Sequence, residues 1–169
     1  KSADKRLALL RSVADLYFAR KASPTLAEEY LFSEIATTVM SRLRPAQRPQ
    51  VSDALCDSDR LPHELAMALA ADADIAVARP ILSRSPVLRE ADILQLAQAS
   101  SDDHLDAIAT RPSLSTQVTD VLIDRGSDKV LRTVSGNTGA QMSENGMRRL
   151  VDRARQDHEL CLSLADRGD

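Results

Sequence analysis

Apolar residues recur every three or four positions along most of the chain, which is the period of an amphipathic helix that buries one face. In the first such segment the stripe is formed by Ala3, Leu7, Leu10, Ala14 and Tyr17. No segment alternates apolar and polar residues in the period of two that a half-buried strand shows. The pattern therefore predicts an all-α fold.

Breaks in this pattern divide residues 1–60 into three predicted helices. The first helix ends at residues 23–25, where Thr25 and Glu28 form a capping box for the second helix, because their side chains accept bonds from otherwise unpaired N–H groups. The second stripe consists of Leu31, Ile35, Val39 and Leu43. A shorter third helix follows Pro45, and we expect the three helices to pack as a small bundle.

From Leu61 onward the sequence repeats with steps of 27, 26 and 28 residues. Five rows of four apolar residues share this period: Leu61, Leu88, Leu114, Met142; Leu69, Leu96, Leu122, Leu150; Ala70, Ala97, Ile123, Val151; Ala78, Leu105, Leu131, Cys161; and Ile81, Ile108, Val134, Leu164. Each unit has room for two helices of about ten residues. One such pair cannot bury both apolar faces, whereas stacked pairs can. We therefore predict a short α-solenoid of four helix pairs in residues 61–169, capped by the bundle of residues 1–60.

Three strings in the second part resemble a known bacterial family. They are residues 74–82 (DIAVARPIL), 111–126 (RPSLSTQVTDVLIDRG) and 130–140 (VLRTVSGNTGA). They are similar to the domain of unknown function two-three-three-six, a family with HEAT-like repeats; the resemblance covers residues 61–165 well and residues 1–60 more loosely. It implies an α-helical repeat fold and a cytoplasmic bacterial protein that binds other macromolecules, with no established activity to carry over.

Composition excludes several classes of protein. The chain is 43% apolar and 28% charged with a net charge of -3, which is typical of a globular domain rather than a disordered one. No run of 18 apolar residues is present, so we predict no membrane span, and no secretory signal is visible. Two cysteines cannot form a disulfide framework, which also favours the cytoplasm.

The residues that usually carry chemistry are scattered. His63, His104 and His158 include no pair at the spacing of three or four that a helix needs for metal ligation. Cys161 occupies an apolar repeat position, which predicts a buried and inert thiol. The loop at residues 136–139 lacks the strand and lysine of a phosphate cradle, so a plain turn is favoured. We predict no enzyme activity, no cofactor and no metal.

One polar row follows the repeat, three residues after its last apolar position. Its members are Arg84, Arg111, Asn137 and Arg167. Guanidinium groups in a ladder could bind the carboxylates of an acidic partner in bidentate fashion, or they could stabilise helix C-termini. Joint substitution of Arg84 and Arg111 separates these readings: loss of a partner at unchanged stability indicates binding, and unfolding indicates structure.

A second pattern joins Asp74 to Arg79 and Asp128 to Arg132. The Asp can cap the second helix of a unit, and the Arg one turn later can reach an Asp of the neighbouring unit. An ordinary solvated ion pair is the alternative. We include Arg79 and Arg132 among the candidate partner-binding residues.

Charge decides between protein and nucleic acid as the partner. Residues 61–169 carry 12 basic and 17 acidic groups, whereas nucleic-acid-binding domains usually show a basic footprint. A basic cluster is formed by Arg148, Arg149, Arg153 and Arg155, with acidic residues between them. We predict a non-enzymatic scaffold or adaptor for a protein partner, with a nucleic-acid-binding helical repeat as the alternative.

The aromatic residues offer one possible contact surface for a homodimer. All four lie close together in the first two predicted helices: Tyr17, Phe18, Tyr30 and Phe32. They form either the core of these two helices or, where partly exposed, a homodimer face.

Overall fold

The computed structural model describes residues 2–166, with side chains described from residue 4. Within this range the fold is all-α, as predicted, with one isolated parallel bridge between Leu114 and Ala140 and no strand. The helices are α1 (Ser2–Ala19), α2 (Leu26–Ser41), α3 (Arg48–Leu55), α4 (His63–Ala70), α5 (Ile75–Arg84), α6 (Glu90–Ala99), α7 (Asp102–Ala109), α8 (Thr116–Arg125), α9 (Asp128–Gly136), α10 (Glu144–Ala154) and α11 (His158–Asp166). No helix in this range combines the length and hydrophobicity that crossing a bilayer requires.

The chain forms two compact units, one up to Leu88 and one from Arg89 onward. In the first unit α1 packs on α2 and α3, α2 on α4, and α3 on α5, while α4 and α5 form a pair. The division at residue 60 that the repeat suggests stays a prediction.

The second unit stacks three helix pairs. The first helices contact one another in the order α6, α8, α10, and the second helices in the order α7, α9, α11. The two helices of each pair also contact each other. This packing is the solenoid-like arrangement that the repeat predicts.

The apolar repeat positions are buried in the first three units, whereas most of those in the fourth unit are not. All fifteen apolar repeat positions from Leu61 to Val134 are buried. In the fourth unit only Leu150 is buried, while Val151 is 47% exposed and Cys161 is exposed. The prediction that Cys161 is a buried thiol is therefore wrong. Within the described range the main packing partners of α11 are α9 and α10.

The buried face of α2 is turned by one residue from the predicted stripe. Phe32, Ala36 and Met40 are buried, whereas Leu31 is 59% exposed. The cause is aromatic packing, because the ring of Phe32 stacks on that of Tyr17 with centroids 4.3 Å apart.

Phe18 completes this aromatic cluster, with ring centroids 5.5 Å from Tyr17 and 5.7 Å from Phe32. Tyr30 is 66% exposed and takes no part in it. Three of the four aromatic residues therefore form the core between the first two helices, and the fourth points to solvent.

Candidate protein-docking face

Arg84 at the end of α5 binds the C-terminal end of α3. Its Nη2 donates to Asp53 Oδ1 at 2.5 Å and lies 2.7 Å from Cys56 Sγ, and its Nε lies 3.3 Å from Asp57 Oδ1. These contacts, with Cys56 first and Asp53 second, raise the pKa of the guanidinium. Arg84 thus uses its donors within its own chain, which corresponds to the structural alternative for this row.

Asn137 binds the C-terminal end of α7. Its Nδ2 donates to the carbonyl oxygens of Ala109 at 2.7 Å and Arg111 at 2.8 Å, and its Oδ1 accepts from Gly139 N at 2.9 Å. The loop here is a tight turn, because a Cβ on Gly139 would lie 1.9 Å from the Pro112 carbonyl oxygen. Asn137 therefore supplies donors to the carbonyls that end α7.

The other two members of the row are Arg111 and Arg167. Arg111 is half-buried just after α7, and burial lowers the pKa of its guanidinium. Arg167 lies outside the described residues. The prediction that the row binds a partner stays a prediction, and the contacts of Arg84 and Asn137 are internal.

Arg132 makes the predicted reach to the following helix pair. It binds Asp157 through Nη2 at 2.9 Å and Nε at 3.0 Å, and its Nη1 lies 2.8 Å from Glu159 Oε2. The bond to Asp157 raises the pKa of Arg132, while the pKa of Asp157 is lowered first by the backbone N–H of Leu160 and then by Arg132.

Arg79 belongs to the same predicted pattern as Arg132. It lies half-buried on α5 one turn after Asp74, whose Oδ1 caps that helix by accepting from Ala76 N at 3.0 Å. The capping role predicted for Asp74 is thus confirmed.

The basic cluster on α10 is paired with acids. Each of its four arginines lies beside a carboxylate: Arg148 beside Glu144, Arg149 beside Asp124, Arg153 beside Asp128 and Arg155 beside Asp152. Two of the acids belong to the preceding helix pair, so the cluster helps to join α10 to its neighbours. Paired guanidinium groups are poorly placed to neutralise phosphates.

The largest concentration of exposed apolar side chains lies on α1 and α2. Five of the seven large apolar residues that the described chain exposes belong to these helices: Leu9, Leu16, Leu26, Tyr30 and Leu31. Leu16 is 72% exposed. A concentration of exposed apolar side chains of this kind is typical of an interaction site.

The two helices border an open furrow of about 310 Å³. Its sides are formed by Val13, Leu16, Tyr17, Leu31, Phe32 and Ile35, and its end by Arg20 and Glu28. We call the surface made by Leu9, Val13, Leu16, Leu31 and Ile35 the α1–α2 face. Tyr17 and Phe32 form its floor, because their stacked rings fill the space between the helices.

Polar residues fix the end of this face. Thr25 and Glu28 form the predicted capping box, with Thr25 N donating to Glu28 Oε2 at 2.8 Å and Glu28 N donating to Thr25 Oγ1 at 3.3 Å. The same carboxylate pairs with Arg20. The Thr25 N–H first, and Arg20 second, lower the pKa of Glu28 to about 2.

Arg60, which follows α3, binds the backbone of the connection between α1 and α2. Its guanidinium donates to the carbonyl oxygens of Phe18 at 3.3 Å, Arg20 and Ala22. The spacing of the two helices is thus set by bonds at their connection as well as by the aromatic floor.

Sequence reasoning missed most of this face, although a signal was present. The α1 sequence carries a second stripe, Leu9, Val13 and Leu16, beside the one that is buried. Two apolar stripes on one helix exceed what a single packing partner covers. Three of the four aromatic residues that the homodimer hypothesis named pack against one another, and the homodimer itself stays a prediction.

One known protein family matches this chain. The family described as an uncharacterised protein conserved in bacteria, DUF2336, matches residues 77–169. The chain belongs to this family. No curated protein and no solved structure matches it.

The DUF2336 match begins at Val77 in α5 and includes all later helices. It therefore contains Arg84, Asn137 and Arg132, whose side chains join helices to one another. The α1–α2 face precedes the matched residues, so the family description does not extend to it.

Within the described range, no group of three or more His, Cys, Asp and Glu side chains is arranged to hold a metal ion. His104 Nδ1 lies 2.8 Å from Ser101 Oγ at the start of α7. Cys56 and Cys161 are both free, and burial raises the pKa of the Cys56 thiol.

Proposed function

We propose that this DUF2336 protein is a non-enzymatic protein-binding module and that the α1–α2 face is its docking surface. The proposal rests on one observation. Exposed leucines are concentrated on two adjacent helices, above the stacked rings of Tyr17 and Phe32. A partner helix laid along the furrow would bury these leucines, which is the usual basis of helix-in-groove recognition.

The helical-repeat fold favours binding of a protein partner over catalysis of a reaction. Helical repeats offer extended surfaces, and the three helix pairs of the second unit are joined to one another by side-chain bonds. The proposal gives the chain no catalytic step. We also propose a cytoplasmic location, which the two free cysteines favour.

The Arg row has a smaller part in this proposal than its spacing suggests. Arg84 remains 47% exposed while bound to Asp53, so an acidic partner would have to compete with internal carboxylates. The leucines of the α1–α2 face have no such competitor. We therefore assign the main contact to the face and a secondary one to the row.

The test is cross-linking capture with the purified chain as bait. We expect wild-type bait to retain specific proteins from cells that express it, and Leu16→Glu bait to lose them because a charge would be buried in the contact. The matched control is Leu162→Glu, which changes a leucine that is 52% exposed on α11 and should retain the same proteins. Equal retention by Leu16→Glu and wild type would refute the docking surface.

A further inference from the structure

We infer that the occupant of the α1–α2 face is a second copy of this chain, with α1 of one protomer lying on α2 of its partner. The inference rests on the proposed docking surface and specifies what binds there. Two helix hairpins joined in this way form a four-helix arrangement around a common apolar seam.

The first argument is the charge of the two helices, which is opposite. Helix α1 carries three basic and two acidic side chains, whereas α2 carries three acidic and no basic ones. On the exposed side of α1, Lys5 lies one turn before the apolar stripe, and on α2 Glu34 lies one turn after Leu31. At the connected ends of the two helices, Arg20 and Glu28 already pair with each other within the chain.

This distribution favours self-association over binding to a partner of a single charge. A strongly acidic partner would meet the glutamates of α2, and a strongly basic one would meet the cations of α1. A two-fold axis parallel to the helices sets α1 on the partner's α2 at both contacts, so opposite charges meet twice.

The second argument is the size of the face. Two helices of 18 and 16 residues are about 25 Å long and, side by side, cover about 20 Å across. Two such faces together bury on the order of 1,000 Å², which is near the lower limit for a specific interface. A contact of this size suits a dimer that dissociates on dilution.

Sedimentation velocity over a range of concentrations tests the inference directly. We expect the mass of the wild-type chain to rise from one chain to two with concentration, and Leu16→Glu to remain a single chain throughout. Leu162→Glu should dimerise like the wild type. Because Leu16 and Leu162 are both more than half exposed, neither variant is expected to unfold, and circular dichroism checks this.

Disulfide trapping tests the arrangement of the helices. Leu16 on α1 and Leu31 on α2 line opposite sides of the furrow. The inferred axis, which sets α1 on the partner's α2, therefore pairs Leu16 of one protomer with Leu31 of the partner. In a Cys161→Ser background, we expect a mixture of Leu16→Cys and Leu31→Cys chains to form disulfide-linked dimers on oxidation. Either chain alone should form few, and a reversed result would overturn the arrangement.

The outcomes separate the inference from the proposed function. If the wild-type chain stays single at every concentration while capture of other proteins still depends on Leu16, the self-association is refuted and the docking surface stands. If neither mass nor capture depends on Leu16, both are refuted.

Discussion

The polar residues that the repeat places near helix ends bind the ends of earlier helices. Arg84 binds the Asp53 carboxylate and the Cys56 thiol at the end of α3, whereas Asn137 binds the carbonyl oxygens of Ala109 and Arg111 at the end of α7. Helix C-termini leave carbonyl oxygens without partners, and a side chain from the next pair can satisfy them. A polar row in a repeat is therefore weak evidence for an external ligand.

Replacement of Asn137 measures what its bonds contribute to stability. We expect Asn137→Ala to lower the free energy of unfolding by about 1–3 kcal/mol, because the carbonyls of Ala109 and Arg111 each lose a donor. Chemical denaturation checks the value. Asn145→Ala, which removes an exposed amide on α10, is the control and should change stability by less than about 0.5 kcal/mol.

The two thiols should differ in reactivity. Cys56 is fully buried with a raised pKa, whereas Cys161 is exposed. We expect a thiol reagent to modify one cysteine per native chain quickly and the second only on unfolding, because the thiolate is the reactive form and must be accessible. A Cys161→Ser chain that still reacts quickly would contradict this assignment.

At the scale of the helix, the sequence predicts where helices lie better than which way they face. Periodicity located both N-terminal helices, yet the buried side of α2 follows Phe32 rather than Leu31. Two adjacent apolar positions satisfy the same period, and only the stacking of Phe32 on Tyr17 selects between them. That contact joins residues on different helices, so no local pattern contains it.

We expect truncation of a leucine side chain to lower the free energy of unfolding more in an inner helix pair than in the last one. Leu131 on α9 is fully buried, so we expect Leu131→Ala to lower the free energy of unfolding by about 2–5 kcal/mol. Leu162→Ala on α11 removes a half-exposed side chain and should lower it by less than about 1 kcal/mol. Similar losses in thermal or chemical denaturation would show that α11 is covered in solution.

The capping box of α2 predicts a dependence on pH. Because the pKa of Glu28 falls to about 2 in the folded chain, its ionised form stabilises the fold above its ordinary pKa of 4.5, and this stabilisation is lost as the pH falls from there towards 2. We expect Glu28→Gln to be less stable than wild type at neutral pH and closer to it in acid. Urea denaturation at both pH values checks this, with Glu29→Gln as the control in the same helical turn.

At the scale of the whole molecule, the fold class and the family are confirmed, and the exposed α1–α2 face is the part that escaped prediction. The repeat from Leu61 located the helix pairs because burial imposes the same apolar positions on each unit. The α1–α2 face lies outside the repeat, where Leu16 has no equivalent in other units to compare. An exposed leucine and a buried one look alike in sequence until the packing is known.

Overall charge leads to a further prediction about partners. We expect filter binding at low salt to retain neither duplex nor single-stranded nucleic acid, because the arginines of α10 are paired with acids and residues 61–169 carry more acidic than basic groups. Retention that weakens steeply with added salt would support the alternative function instead.

In the second unit, two bonds at helix ends run from a later residue to an earlier helix. Asn137 donates to carbonyls near the end of α7, and Arg125 donates to the Ser100 carbonyl, which follows α6. A duplicated pair inserted into the gene would therefore arrive with the donors that its predecessor requires. Removal of the last pair would instead leave its predecessor without them.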